Sequence, residues 1–138
     1  MNNKEISLLA NLLIEVQRST SENLPIGHSF IPYYILITVL QHFTNEDELT
    51  VKNLFNSGTY SEMGNRYHFK RLIERNWIHL QTHPDDSRLR LILPSEKLLK
   101  AFEKISTEIQ TELLNFGKKR EQPTASTKTR TNLENNSP

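Results

Sequence analysis

The apolar residues of positions 50–93 change their spacing once, and this change constrains the fold more than any other feature of the chain. Up to Asn76 they recur at helical spacing, as on one face of an α-helix. Beyond Asn76 apolar and polar residues alternate, which is typical of a strand with one buried face. The segment is therefore predicted to form helices first and a β-hairpin afterwards.

Capping residues indicate where two of the helices begin. Thr50 can cap a first, short helix, and its side-chain oxygen would accept a backbone N–H. Ser61 can cap a second helix at about residues 62–75, and Thr59 with Glu62 also fits a reciprocal capping box. The few residues between the two helices form a short turn, which fixes how they cross.

The hairpin is predicted at residues 77–93. Pro, Asp and Ser residues at positions 83–87 supply the chemistry of a turn between two strands. The apolar residues of both strands are expected to share one buried face, so that the hairpin projects into solvent as a wing. These residues are Ile78, Leu80, Leu89, Leu91 and Leu93.

The outer face of the second helix is predicted to carry basic and aromatic side chains that bind duplex DNA. A major groove admits a helix whose side chains bond base edges, while Lys and Arg also bind phosphates. Arg88 near the hairpin tip is expected to enter an adjacent minor groove, held by Asp86. Any one of these residues could equally be an ordinary solvated side chain, so the hypothesis depends on the group. The predicted DNA-binding residues are Ser61, Asn65, Arg66, Tyr67, Lys70, Arg71, Asp86, Arg88 and Arg90.

The stretch from Thr50 to Lys97 resembles the MarR family of bacterial winged-helix regulators, and three short runs of residues carry the resemblance. In the first, Asn76 stands at the family's glycine position, and Asn tolerates the left-handed conformation required there. In the second, a proline precedes an Asp-x-Arg pattern, and in the third the cap and charges of the family's Leu-Thr-Glu-Lys-Gly are kept. The runs are Leu-Ile-Glu-Arg-Asn-Trp-Ile at 72–78, Pro-Asp-Asp-Ser-Arg at 84–88 and Pro-Ser-Glu-Lys-Leu at 94–98.

This resemblance implies a winged helix-turn-helix regulator that acts as a homodimer. It gives Arg88 the role of contacting the minor groove and Asp86 the role of orienting it. It also implies a small aromatic effector, bound in a cleft between the dimerisation and DNA-binding parts.

Two amphipathic helices are predicted to flank the winged helix and to dimerise. They cover about residues 4–18 and 95–116, and the second would be about 33 Å long. A domain of this size cannot bury the whole stripe of so long a helix, although packing within one chain is the alternative. A third helix at 29–43, joined by a loop at 20–28, is expected to be a buried scaffold. The predicted dimerisation residues are Leu9, Leu13, Phe102, Ile105, Ile109 and Leu113.

Composition excludes several classes of function. The chain has no cysteine, which excludes thiol chemistry and Cys-based zinc sites. His79 and His83, near Asp85 and Asp86, are metal-ligating types, but they lie across a strand end and a turn, so no metal or cofactor is expected. No catalytic motif is present, which indicates a non-enzyme. With no signal peptide or membrane span, the cytoplasm of a bacterium, at the nucleoid, is the expected location.

The sequence thus predicts a mainly α fold with a small β-hairpin wing over residues 1–116, and a disordered polar tail at 117–138. The expected function is a homodimeric, sequence-specific DNA-binding regulator, most simply a repressor. One alternative is a winged helix that contacts other proteins through Tyr67, Phe69 and Trp77. Another is DNA binding for replication, partition or transfer of a mobile element.

Overall fold

A computed structural model describes the backbone of residues 1–135 and the side chains of residues 1–118. Within these residues the chain is mainly helical and has one antiparallel hairpin, which confirms the predicted fold class. The elements are α1 (Asn3–Asn23), α2 (Phe30–Thr44), α3 (Val51–Phe55), α4 (Glu62–Glu74), β1 (Ile78–Thr82), β2 (Arg90–Pro94) and α5 (Glu96–Asn135). No helix in this part of the chain is both long enough and apolar enough to cross a membrane.

The chain divides into two compact units. The first comprises Met1–Thr20 and the described residues from Ile105 onward, and the second comprises Ser21–Lys104. In the first unit, Ser19 Oγ donates a hydrogen bond of 3.1 Å to the carboxylate of Glu108. The second unit holds α2, α3, α4 and the hairpin, and we call it the winged-helix unit.

The two flanking helices are longer than the sequence predicted. The loop predicted at residues 20–28 starts later, because α1 continues to Asn23 and Thr20 bonds back to the Val16 carbonyl at 2.8 Å. The helix that was predicted to end at residue 116 continues to Asn135. Side chains beyond residue 118 lie outside the described residues, so the disorder of the tail stays a prediction.

Three helices of the winged-helix unit begin at capping side chains. In each, a hydroxyl oxygen accepts a backbone N–H of the first turn, which otherwise has no partner. The caps at Thr50 and Ser61 were predicted, and both are confirmed. The bonds are Ile31 N to Ser29 Oγ at 3.2 Å, Asn53 N to Thr50 Oγ1 at 3.1 Å, and Gly64 N to Ser61 Oγ at 3.1 Å.

Helices α2 and α4 end in the same way, at a residue with left-handed backbone. Asn76 has φ 64° and Glu46 has φ 54°. In α4 the N–H of Trp77 then reaches the Leu72 carbonyl at 2.9 Å, which is the bond of a Schellman motif. The left-handed conformation predicted for Asn76 is confirmed, whereas Glu46 is a residue type that adopts it only at an energetic cost.

Glu46→Gly is expected to stabilise the protein by about 1 kcal/mol, because glycine adopts the left-handed conformation without a Cβ penalty. Urea unfolding followed by Trp77 fluorescence measures the change, since Trp77 is the one tryptophan and is buried. Asn76→Gly is the matched control and should gain less, because asparagine tolerates this conformation. Equal or opposite changes in the two variants would contradict the assignment of strain to Glu46.

The core of the winged-helix unit is built on α2. Its inward residues Ile35, Leu36 and Val39 are completely buried. Burial of apolar side chains is the main favourable term in folding, so α2 is the scaffold on which the other elements pack. Buried residues from the other elements are Leu54, Phe69, Leu72, Ile78, Ile92 and Leu98.

The buried face of the hairpin differs from the predicted one. Leu80 lies opposite Ile92, and residues opposite each other in an antiparallel pair point to the same face. Ile92 is therefore buried, while Leu91 and Leu93 lie on the other face and are half-buried. The prediction that the odd-numbered leucines share the buried face was wrong, because this strand is apolar at consecutive positions and its alternation does not fix which face turns inward.

Candidate nucleic-acid interface

Helix α4 exposes one continuous face to solvent. Met63, Arg66, Tyr67 and Lys70 follow one another at spacings of three and four residues, which places them on the same side of a helix. Tyr67 is 57% exposed although it is aromatic. We call these four residues the α4 face. Three of them were predicted from the sequence, and Met63 was missed.

Asn65 does not belong to this face, so the prediction that it binds DNA was wrong. It is 0% exposed, and its amide nitrogen donates to the Tyr60 carbonyl at 3.4 Å. Asn65 Oδ1 has no hydrogen-bond partner among the described residues. A side chain inside the core cannot reach a duplex. Asn65 instead ties α4 to the turn that precedes it.

The basic side chains of α4 are held by neighbours at the edges of the face. Arg66 donates two hydrogen bonds to Glu62 Oε1, at 2.8 and 3.1 Å, and lies over the Phe55 ring at 5.6 Å. Lys70 Nζ lies 4.0 Å from a carboxylate oxygen of Glu74. These exposed ion pairs are weak, so a phosphate can replace the carboxylate at little cost.

Arg71 and His68 border the aromatic part of the face. The Arg71 guanidinium lies 5.5 Å from the centre of the Tyr67 ring, and the His68 ring meets the same ring at 5.0 Å. Burial lowers the pKa of His68, and the nearby positive charge of Arg71 lowers it further. His68 is thus neutral at neutral pH and adds no charge to this border.

The turn between α3 and α4 is fixed against α2. Hydrogen bonds from Ser57 and Thr59 to the Tyr34 hydroxyl lower the pKa of that phenol, and the bond from Ser57 has the larger effect. The Tyr34 ring also meets the Tyr60 ring edge-on at 5.4 Å. A Cβ on Gly64 would come within 2.7 Å of the Ile31 side chain, so a glycine here allows close packing of α4 on α2. The orientation of the α4 face is therefore set by the core.

The wing ends in an arginine that is exposed and oriented. The Arg88 side chain is 88% exposed, and its guanidinium donates to both carboxylate oxygens of Asp86, at 3.1 and 3.2 Å. These bonds, and one from the Arg88 backbone, lower the pKa of Asp86. The pair is therefore intact at neutral pH and is lost only as the pH falls through this lowered pKa. Arg90, also exposed, opens β2 below the tip.

The base of the wing is bonded to the start of α5. Ser95 is buried, and its hydroxyl donates to the Trp77 carbonyl at 2.9 Å while accepting the Leu98 N–H at 3.1 Å. Lys97 donates to the Arg75 carbonyl at 3.1 Å and lies 4.3 Å from the centre of the Trp77 ring. The C-terminal end of α4, both strands and α5 therefore meet at one rigid point.

His83 has a structural role in the wing. Its Nδ1 accepts the Asp85 N–H at 3.0 Å, so the proton of the neutral ring lies on Nε2, which is 3.0 Å from a Glu48 carboxylate oxygen. His79 takes no part in these hydrogen bonds and is exposed on β1. Among the side chains that the structure describes, no three His, Asp or Glu residues are grouped as metal ligands would be.

A pocket of about 280 Å³ lies in the winged-helix unit, beyond the end of α2 and beside β2. Its wall is apolar, and carboxylates of the segment after α2 line its edge. Neither the pocket nor its carboxylates were foreseen from the sequence as a binding site. The lining residues are His42, Phe43, Glu46, Asp47, Glu48, Leu49, Leu91, Ile92 and Leu93.

The predicted dimerisation residues differ in how much of each side chain is exposed to solvent. Leu13 is 58% exposed, and Leu113 is similarly exposed, which is unusual for leucine. Leu9, Phe102 and Ile109 are half-buried within one chain. Ile105 is buried within one chain, so it was wrong as a contact to a second protomer. Other exposed apolar residues of α1 and α5 are Ile6, Ile14 and Leu114.

No protein-family model matches the chain, and no curated protein matches it. Solved structures do match. A transcriptional regulator from Thermotoga maritima is similar with a TM-score of 0.62 at 14% identity, over 94% of this chain and 87% of that one. S. aureus MepR bound to ethidium bromide gives 0.59 at 18% identity, over 96% of this chain and 97% of that one.

A third structure of the same fold contains DNA. It is a MarR family transcriptional regulator from Streptomyces coelicolor in complex with DNA, with a TM-score of 0.50 at 14% identity, over 96% of this chain and 86% of that one. These relatives are regulators rather than enzymes. At these identities the likeness establishes the fold, and it confirms the resemblance read from the sequence at that level.

Proposed function

Since the chain has the fold of the MarR-type winged-helix regulators, we propose that it is a homodimeric, sequence-specific regulator that binds double-stranded DNA. The α4 face lies in the major groove and Arg88 enters the adjacent minor groove. In its simplest form the protein is a cytoplasmic, nucleoid-associated repressor that occludes a promoter. The observation that carries the proposal is the exposed Arg88, held in place by Asp86.

Local charge rather than total charge accounts for the binding. The whole chain is only +1, which gives little bulk attraction to DNA. Basic residues are concentrated on α4 and the wing, whereas Glu46, Asp47 and Glu48 follow one another in the segment after α2. Acidic residues also lie at the ends of α4 and in the wing turn, where they pair with Arg66, Lys70 and Arg88. The arrangement of the basic side chains, rather than an excess of positive charge, therefore supports a specific contact over a diffuse one.

Fluorescence anisotropy on a duplex selected from a random-sequence library tests the proposal. Binding should weaken as salt increases, because cations condensed on DNA are released by phosphate contacts. Lys70→Ala should reduce the magnitude of the slope of log affinity against log salt concentration by about 1, which corresponds to the loss of one phosphate contact. Lys100→Ala, on α5, should leave this slope unchanged. Absence of binding even at low salt would contradict the proposal.

A dimer is the second part of the proposal. Leu13, Ile14 and Leu113 expose more than half of their surface in the single chain, and all three belong to the unit formed by α1 and α5. Apolar surface of this kind on one unit is characteristic of a protein interface. Two protomers would present two α4 faces to half-sites about one helical turn apart.

A small aromatic effector is the third part. A related structure, S. aureus MepR, was solved with ethidium bromide, an aromatic cation. The pocket beside β2 lies within the winged-helix unit, rather than in the cleft between the dimerisation and DNA-binding parts that the resemblance implied. It combines an apolar wall containing Phe43 with carboxylates such as Glu46, which suits a ligand of that class. Titration of the DNA-free protein with ethidium should then raise the fluorescence of the dye, and Phe43→Ala should reduce that rise.

The protein-contact alternative is less well supported. Of its three contact residues, Phe69 and Trp77 are buried in the core and only Tyr67 is exposed. Two of the three are therefore not available to a partner. DNA binding for replication, partition or transfer uses the same surfaces as repression. Reporter transcription from a promoter that contains the selected site distinguishes these roles.

A further inference from the structure

Met63 is the most exposed apolar side chain of the α4 face. It is the second residue of α4 and is 83% exposed. An apolar side chain in this position contributes little to the core, and its exposure to water is unfavourable in the free protein. Its placement leaves it available to a partner outside the chain.

The charged neighbours of Met63 are drawn away from it. Arg66 is bonded to Glu62 and stacks on Phe55, toward one edge of the helix. Lys70 pairs with Glu74, one turn further along. Met63 and Tyr67, which are four residues apart, therefore lie on one side of the helix. Arg66 flanks them on one edge and Arg71, over the Tyr67 ring, flanks them on the other.

The major groove offers one apolar group that fits these two side chains. Thymine carries a C5-methyl group at the groove edge, whereas the other bases present only hydrogen-bonding groups there. Residues at the N-terminal end of a recognition helix contact base edges, and Met63 occupies that end. The basic residues beside it can hold the flanking phosphates. The surroundings of Met63 thus favour a duplex over an apolar protein partner.

We infer that Met63 reads thymine in the major groove through its C5-methyl group, and that Tyr67 extends this contact by one turn. The inference rests on the proposed function and names the base that the α4 face prefers. Arg66 and Lys70 position the helix on the phosphates, and Met63 supplies discrimination between thymine and the other bases.

Replacement of thymine by uracil tests this inference, because the two bases differ only by the methyl group. A duplex is first selected from a random-sequence library with the wild-type protein, and each thymine is then replaced singly by uracil. Loss of one buried methyl should weaken wild-type binding about fourfold at the contacted thymine. In Met63→Ala the same replacement should have no effect. Met63→Leu is the matched control and should retain the loss, since leucine also contacts a methyl group.

The outcomes separate the inference from the proposed function. A selected duplex that binds tightly but loses nothing on any uracil replacement would overturn the inference and leave the DNA-binding proposal standing. An equal uracil effect in Met63→Ala would assign the methyl contact to another residue and also overturn it. If no duplex is enriched and Met63→Ala instead abolishes binding to a protein, both the inference and the proposed function fail.

Discussion

Leu13→Glu is expected to convert the proposed dimer to a monomer and to weaken DNA binding at least a hundredfold. In the single chain Leu13 is more than half exposed, and Ile14 and Leu113 of the same unit are exposed as well. In a dimer it would lie in an apolar interface, where an unpaired carboxylate costs about 3 kcal/mol or more. A monomer presents only one α4 face, so the contribution of the second half-site to affinity is lost.

Sedimentation velocity over a range of concentrations measures the assembly, and anisotropy on the selected duplex measures the binding. Gln41→Glu is the matched control, because it adds the same charge at an exposed position of α2, outside the unit that carries the proposed interface. This variant should remain dimeric. A dimeric Leu13→Glu protein with unchanged circular dichroism would show that the interface lies elsewhere.

Arg88→Ala is expected to weaken binding to the selected duplex about tenfold or more. Arginine is favoured in a narrow minor groove because the guanidinium loses its hydration more easily than the ammonium of lysine. Its side chain is already oriented by Asp86, so little conformational entropy is lost when it binds. Arg88→Lys should therefore also bind more weakly than the wild type. The thermal midpoint should not change, since an exposed side chain contributes little to stability.

Asp86→Ala gives an internal comparison. It leaves the positive charge of Arg88 in place and removes the bonds that orient the guanidinium, together with one negative charge of the wing. Binding should therefore fall by less than in Arg88→Ala. Lys100→Ala removes another exposed charge, on α5, and should have no effect. Unchanged affinity in Arg88→Ala on the selected duplex would exclude the wing from the DNA contact.

Local signals in the sequence were enough to predict much of the fold. Thr50 and Ser61 cap their helices, and Asn76 is left-handed, because each of these roles depends on the residue and its near neighbours. The pair between Asp86 and Arg88 is predictable for the same reason, since the two residues lie in one turn. These features involve no contact that is distant in sequence.

Features that depend on distant contacts were not predictable. Asn65 is a polar residue on a basic helix, and only its packing against the preceding turn shows that it is buried. The inward face of β2 depends on its register with β1, because its apolar residues are consecutive. Met63 was overlooked since an apolar residue near a helix start normally packs inward, whereas here it is exposed.

The bonds of Ser95 and Lys97 at the base of the wing also determine how the wing moves. Because one end of the hairpin is fixed to α5, we expect its thermal motion to increase toward Arg88, beyond the contact between His83 and Glu48. Backbone amides at the fixed end should exchange with solvent slowly, whereas those near the tip exchange through small local openings. The wing can thereby adjust its reach to grooves of different width while the α4 face keeps its orientation.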